Sequence, residues 1–378
     1  MKKICMIFIL SILFIPFVKA EELVLAPNAK SAILIEASTG NILYERNSHE
    51  KLPPASMTKM MSMLLIIENI ENGVLNWDDV ITASANASSM GGSQILLETG
   101  EEMTVSDLFK GIAVASGNDA VVALAEAIAG TTSEFVNMMN ERAKELGLQD
   151  SYFKNPHGLT DTNHYSSAYD MAMIAKELAK HEKVFEYTSI YEDYLRQNTN
   201  RKLWLVNTNK LVRFYKGVDG LKTGYTKEAG YCLTATANKG FRVIAVAMGE
   251  PSSELRNKEV SEMLDYAYAQ YKVDTILTKN DVLGRSMIDR GKDTYVELVP
   301  NEDVTILSKK MDKTKDYNYN IKVNELKAPI KVGDKIGSID IYENGNFLRT
   351  IDLTVNKDIK KANIIELYFR YLKEVVTI

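Results

Sequence analysis

Ser56-Met57-Thr58-Lys59 places a hydroxyl and an amine three positions apart at the start of a long apolar segment. On a helix that spacing puts both side chains on one face, one turn apart. A serine hydroxyl is a weak nucleophile and needs a base beside it. A lysine desolvated against apolar neighbours can be neutral and take the proton. The N–H groups of a helix start add positive potential where an oxyanion would develop. The bland alternative for Ser56 is a plain N-cap, a position serine favours anyway. The pattern alone is unspecific, because Ser48–Lys51 and Ser151–Lys154 repeat it in polar, turn-like stretches. Only Ser56 opens an apolar segment that would desolvate its lysine.

Two further groups could complete such a site. Ser116-Gly117-Asn118 offers a hydroxyl able to relay protons and an amide able to hold a substrate amide or the lysine. Ser84-Ala85-Asn86 is a decoy of the same form, but the 116 copy lies between two apolar segments that would hold it rigidly. Its alternative is a polar turn between helices. Lys222-Thr223-Gly224 occurs once and begins a strand-like segment. An edge strand there could hydrogen-bond an extended peptide. Lys222 would supply a cation and Thr223 a hydroxyl for a carboxylate, and Gly224 would leave room for a ligand to approach. His157 sits in a loop, where a structural role outweighs a general-base role. The four histidines show no HExxH, and there is no GxSxG elbow, phosphate loop or dinucleotide fingerprint. No metal and no cofactor are expected.

These groups need elements to position them. Residues 31–36 and 41–45 are short apolar runs around Ser38-Thr39-Gly40 and predict a hairpin. Pro53-Pro54 breaks the chain before Met57–Ile70, which is apolar nearly all round and predicts a buried central helix. Residues 104–114 and 119–129 predict two helices joined at Ser116–Asn118, and 132–147 and 167–180 two amphipathic ones. Strands are expected again from about 217, with a hairpin over 229–237 and 241–249 turning at Asn238-Lys239-Gly240, and then a helix over 253–271. The sheet of this mixed domain, 21–273, would be built from both ends of the segment with helices packed on it. Residues 274–356 alternate in period two and predict a small all-β domain, with a turn at Glu343-Asn344-Gly345-Asn346. Residues 357–378 form an amphipathic tail, helical over 358–376.

With 46% hydrophobic and 25% charged residues over 378 positions, the chain belongs with globular proteins of more than one domain. Lys2 and Lys3, the apolar run that follows and Val18-Lys19-Ala20 have the form of a signal peptide over 1–20. Losing three lysines and no acid would take the net charge from −5 to −8. So acidic a chain is a poor ligand for nucleic acid. Cys5 would leave with the signal, and Cys232 alternates with apolar neighbours as a buried strand residue does.

In chain order the three motifs match the set shared by penicillin-binding proteins and class A β-lactamases, with Gly117 where that set has Asp. Pro53–Lys59, Ala115–Ala120, Asn155-Pro156-His157-Gly158-Leu159 and Asp219–Thr226 extend the likeness. Residues 24–270 resemble the catalytic domain of low-molecular-mass D-alanyl-D-alanine carboxypeptidases, and the rest is similar to that family's second domain and membrane anchor. The resemblance implies a mixed α/β (α+β) fold of the serine β-lactamase/transpeptidase type, followed by a small all-β domain and a terminal amphipathic helix. It implies Ser56 as acylated nucleophile, Lys59 as base, Ser116 as proton carrier and Asn118 as substrate positioner. Lys222, Thr223 and Gly224 would hold the substrate, the N–H groups of Ser56 and Tyr225 would form the oxyanion hole, and Arg256 would meet the terminal carboxylate. The implied partners are peptidoglycan stem peptides ending in D-Ala-D-Ala, β-lactams, and the outer face of the cytoplasmic membrane. A β-lactamase of related fold is one alternative. The loop at 155–169 has Asp161 but no Glu to activate a deacylating water. A non-catalytic sensor is another, opposed by three intact motifs.

Overall fold

A computed structural model describes residues 23–312 and 315–376. The signal segment expected over 1–20 lies outside the described residues. Five antiparallel strands form the central sheet, in the spatial order Ile42–Arg46, Ser31–Glu36, Arg242–Glu250, Gly230–Asn238, Val218–Thr226. The first two come from the start of the domain and the other three from its end, so closing the sheet brings the two ends together.

The pleat sorts the side chains. Ile33, Ile35, Ile244 and Val246 face a core shared with the helices Lys59–Glu71, Val105–Ala115, Asn118–Ala129 and Ala168–Leu178. Leu34, Ala245 and Ala247 face the other way, onto Val260, Met263, Leu264 and Ala267 of the helix Ser253–Gln270. Lys59–Glu71 is the innermost helix. Every residue from Lys59 to Ile67 is buried, which agrees with an apolar pattern lacking a polar stripe.

A strand begins at Tyr271, directly after the helix, rather than past a break near 273. It pairs with Val304–Lys309. The second domain is built around another five-stranded sheet, ordered Gly284–Met287, Tyr295–Pro300, Asn346–Val355, Gly337–Glu343, Tyr317–Val323. The expected hairpin turn has only Asn344 and Gly345 at its centre, both at positive φ, which suits the twist of the flanking strands. The terminal helix is Ile364–Val376, not 358–376. The six residues before it belong to the β domain, where Ile359 pairs with Ile330 and Lys361 with Gly291. Asn363 Oδ1 then caps the helix by accepting from the Glu366 N–H.

Candidate active site

Pro53 and Pro54 do more than break the chain. They lead into a tight 3₁₀ turn, Ala55–Thr58, that feeds the central helix beginning at Lys59. Ser56 is therefore in the turn and not on the α-helix proper. Its hydroxyl caps nothing, since neither the turn nor the helix has a side-chain cap, and the plain N-cap reading fails. The Ser56 Oγ is instead the partner of Lys59 Nζ, at 3.1 Å.

Lys59 is fully buried. Besides Ser56, its Nζ donates to Asn118 Oδ1 at 2.6 Å and to the His157 carbonyl at 2.7 Å. Both of those partners are pure acceptors, so they consume two N–H bonds of the amine. Burial drives the Lys59 pKa well below the usual lysine range, and the nearby Lys222 lowers it further, against an opposing pull from Asp119. In the neutral form the third position on nitrogen is a lone pair, and it faces the Ser56 hydroxyl.

The Ser116–Asn118 segment is a sharp corner between two helices. Ser116 ends Val105–Ala115 in the left-handed region, at φ 63°, a conformation that costs a non-glycine residue about 1–2 kcal/mol. That bend leaves its Oγ buried, without a hydrogen-bond partner among the described residues, and lining the cleft of Ser56. Asn118 starts the next helix and is fixed from three sides. Its N–H donates to the Ser93 carbonyl, its Nδ2 to the Gly91 carbonyl, and its Oδ1 accepts from Lys59. A Cβ at Gly117 would stand 3.0 Å from Asp119 Oδ1 and 3.2 Å from Ala120 Cβ and from Ile95, which explains why glycine fits this corner.

Lys222-Thr223-Gly224 lies in the middle of the strand Val218–Thr226, not at its start. That strand is the free edge of the sheet and packs against the nucleophile turn. Gly224 serves a different purpose from the one expected. A Cβ there would fall 2.7 Å from the Pro54 carbonyl oxygen, so the space is taken by the Ser56 turn rather than by a ligand. Thr223 bonds Thr208 and lines the cleft. Lys222 is buried and donates to the Thr223 carbonyl, and burial, with Arg256 adding to it, lowers its pKa to about 7. Tyr225 is exposed and packs on Tyr231 at 4.4 Å between centroids. Arg256, in the first turn of Ser253–Gln270, is buried in the cleft wall and donates through Nε and Nη2 to Asn257 Oδ1. Neither Lys222 nor Arg256 has a carboxylate partner among the described residues. The cleft, about 490 Å³, thus joins Ser56, Ser116, Thr223, Gly224, Tyr225 and Arg256, with Lys59 and Asn118 hydrogen-bonded at its floor.

The loop Asn155–Leu159 clamps the turn from behind. The His157 carbonyl, not its ring, meets the site. Burial lowers the ring pKa to about 3, and Lys59 adds to this, so the imidazole is neutral. A Cβ on Gly158, at φ 85°, would lie 1.9 Å from the Ala55 carbonyl oxygen. His164 escaped sequence reasoning. Its Nδ1 accepts from the Lys154 N–H, which leaves Nε2–H to donate to Thr58 Oγ1 at 2.8 Å, one residue from Lys59. Asp119 escaped it as well. Its carboxylate accepts from the N–H groups of Ile95, Leu97 and Ala120 and so ties the 91–97 loop to Asn118. Adjacency to Ser116–Asn118 was the one available signal for Asp119, and His164 had none.

The decoys part company with the site. Ser48 bonds Glu45, Ser151 bonds Asp170, and both paired lysines, Lys51 and Lys154, are exposed. Ser84 caps a short helix and bonds Glu126. Cys232 is buried in its strand, and burial raises its thiol to about 11.

Residues 18–252 match the D-alanyl-D-alanine carboxypeptidase family, and residues 271–361 match the C-terminal domain of penicillin-binding protein 5. The chain is 51% identical to the D-alanyl-D-alanine carboxypeptidase DacF of Bacillus subtilis over 343 residues, 90% of this chain and 88% of that one. It is 33% identical to DacC of Escherichia coli, over 91% of this chain and 88% of that one. The solved structure of penicillin-binding protein 5 from Haemophilus influenzae superimposes with a TM-score of 0.69 at 29% identity, covering 88% of this chain and 98% of that one. With a matching family model over most of the chain and the serine–lysine pair in its buried cleft, this protein belongs to the D-alanyl-D-alanine carboxypeptidase family of serine peptidases.

Proposed function

We propose that the protein removes the terminal D-alanine from peptidoglycan stem peptides ending in D-Ala-D-Ala, through an acyl-enzyme on Ser56. The observation that carries this is the coordination of Lys59. A buried amine bonded to Asn118, His157 and Ser56, with its pKa pushed down by burial, has in its neutral form a lone pair for the Ser56 hydroxyl once its two N–H bonds go to Asn118 and His157. Lys59 takes the hydroxyl proton as Oγ attacks the carbonyl carbon of the penultimate D-alanine. The N–H groups of Ser56 and Tyr225 receive the oxyanion. The proton passes to the departing nitrogen through Ser116, whose unpartnered hydroxyl is free to carry it. Thr223 and Arg256, which line the cleft, hold the terminal carboxylate, Lys222 supports the site electrostatically from beneath, and Asn118 positions the acyl chain. Water then adds its hydroxyl to the acyl carbon, the bond from that carbon to Oγ breaks, and the water proton passes by way of Lys59 to Ser56 Oγ. A β-lactam amide enters by the same attack, and its ring opens to leave an ester on Ser56.

The test is release of D-alanine from a peptide ending in D-Ala-D-Ala. The wild-type protein should release it and Ser56→Ala should not. A labelled penicillin separates the competing readings. A long-lived adduct fits the carboxypeptidase, rapid turnover a β-lactamase, and no adduct a non-catalytic fold.

Two features bear on the site of action. Residues 1–20 have signal-peptide form. The terminal helix exposes Ile364, Ile365, Tyr368, Phe369 and Leu372. No described helix is long and apolar enough to cross a membrane. An apolar face with Arg370 near it suits a helix lying in the interface. On this reading the protein is exported and sits peripherally on the outer face of the cytoplasmic membrane, with the β domain as spacer.

A further inference from the structure

The hairpin Glu192–Leu195 with Leu203–Val206 stands beside the cleft and takes no part in the reaction above. Its pleat separates two faces. Leu195 and Leu205 point into the core, 1% and 2% exposed. On the outer face Tyr194 lies directly opposite Trp204 in register. Trp204 is 57% exposed and Tyr194 38%. Val206, two residues along the same face from Trp204, lines the cleft of Ser56. Two residues of strand span about 7 Å. The aromatic pair therefore begins about one sugar ring from the cleft wall.

Exposed tryptophan beside exposed tyrosine makes a small apolar surface at the rim of the cleft. A second copy of this chain is a poor occupant, because two side chains offer far less than the roughly 800 Å² per partner of a stable dimer. A sugar ring fits better. Its C–H face packs on aromatic rings, and its hydroxyls need polar groups at the rim. Glu192 shares the outer face across from Val206 and supplies a polar rim, while Lys202 Nζ lies over one face of the Tyr194 ring, 3.9 Å from its centre, which leaves Trp204 as the main open surface. We propose that Trp204 and Tyr194 form a carbohydrate platform that holds the glycan of peptidoglycan while the attached peptide occupies the cleft. The proposal rests on the stem-peptide reading, since a peptide carried on a glycan brings sugar to the rim of the cleft.

The test compares the full-length protein with Trp204→Ala and Tyr194→Ala on two substrates carrying the same peptide, one free and one attached to a glycan polymer. The free peptide should be processed at the wild-type rate by both variants, which also shows that they fold. On the polymer kcat/KM should fall about five- to ten-fold, the factor one lost aromatic contact carries. An equal loss on both substrates would mean the hairpin only shapes the cleft. No loss on the polymer would mean the sugar lies elsewhere. Either result overturns the platform. A second readout does not depend on catalysis. Trp204 is one of two tryptophans, and Trp77 packs on the core. Oligomers of N-acetylglucosamine should change the intrinsic fluorescence of the wild type and not of Trp204→Ala. If wild type releases no D-alanine from either substrate yet shows this change, the functional reading fails and the platform stands. No change in wild type overturns the platform. Retention of wild type, but not of Trp204→Ala, on lipid vesicles would assign the patch to a membrane instead.

Discussion

Gly158→Ala tests whether the loop behind Ser56 sets the geometry of the nucleophile. The new methyl would sit 1.9 Å from the Ala55 carbonyl oxygen, and contacts below 3.0 Å are not tolerated, so about 1.1 Å of movement is needed. The atom in the way is backbone, one peptide unit before Ser56, and no flexible side chain can absorb the shift. Residue 158 also sits at φ 85°, which costs an alanine about 1–2 kcal/mol. A displacement of about 1 Å in a catalytic group can cost about 100-fold in rate. Acylation by penicillin should therefore fall about 100-fold, followed as the rate of adduct formation by intact mass, while Tm drops by a few degrees. Gly130→Ala is the control. It has a similar φ of 77° but no described atom within 4 Å of a new Cβ, so it should carry the stability loss without the rate loss. Equal acylation rates in wild type and Gly158→Ala would refute the clamp. So would equal rate losses in the two variants.

Lys59→Arg should reduce acylation by at least about 1,000-fold, because arginine keeps the charge but has no lone pair to offer at ordinary pH; stopped-flow with a chromogenic β-lactam reads this directly. Glu250 is buried, no described residue donates a hydrogen bond to its carboxyl oxygens, and burial and the neighbouring Glu259 carboxyl raise its pKa to about 8. The folded state holds a proton that the unfolded chain releases above about 4.5, so this group's stabilisation is complete below that pH and lost as pH rises through about 8. The Tm of Glu250→Gln, measured relative to wild type, should accordingly climb between pH 5 and pH 9, and a flat difference would show that Glu250 does not titrate in this window. Deleting residues 363–378, which spares the paired Ile359 and Lys361, should release fully active protein from membranes; continued membrane retention or loss of fold would show that the helix is no anchor.

Much of the catalytic domain was legible in the chain because its signals are local. An apolar run with no polar stripe gave the buried helix after Ser56, and two β-rich runs joined at Asn238-Lys239-Gly240 gave the strands around Cys232. The three motifs could be ranked above their decoys by the company they keep, and burial of Lys59 against exposure of Lys51 and Lys154 is the physical form of that ranking. What escaped depends on contacts far apart in sequence. His164 reaches Thr58 across 106 residues, and nothing near His164 announces it. Gly224 was assigned to ligand access because a strand pattern says nothing about which turn packs on it. The hairpin Glu192–Leu195 with Leu203–Val206 was missed because each strand has only four residues and the polar Arg196–Lys202 stretch separates them. The tail was read as helix six residues too early because alternation at Ile359–Lys361 is too brief to outweigh the amphipathic run behind it.

The most direct measurement is the location of the penicillin adduct, found by peptide mapping, together with D-alanine release from the same preparations. A single adduct on Ser56 is expected, with loss of both adduct and D-alanine release in Ser56→Ala and little change in Tm. An adduct on any other serine, or D-alanine release surviving in Ser56→Ala, would contradict Ser56 as the nucleophile.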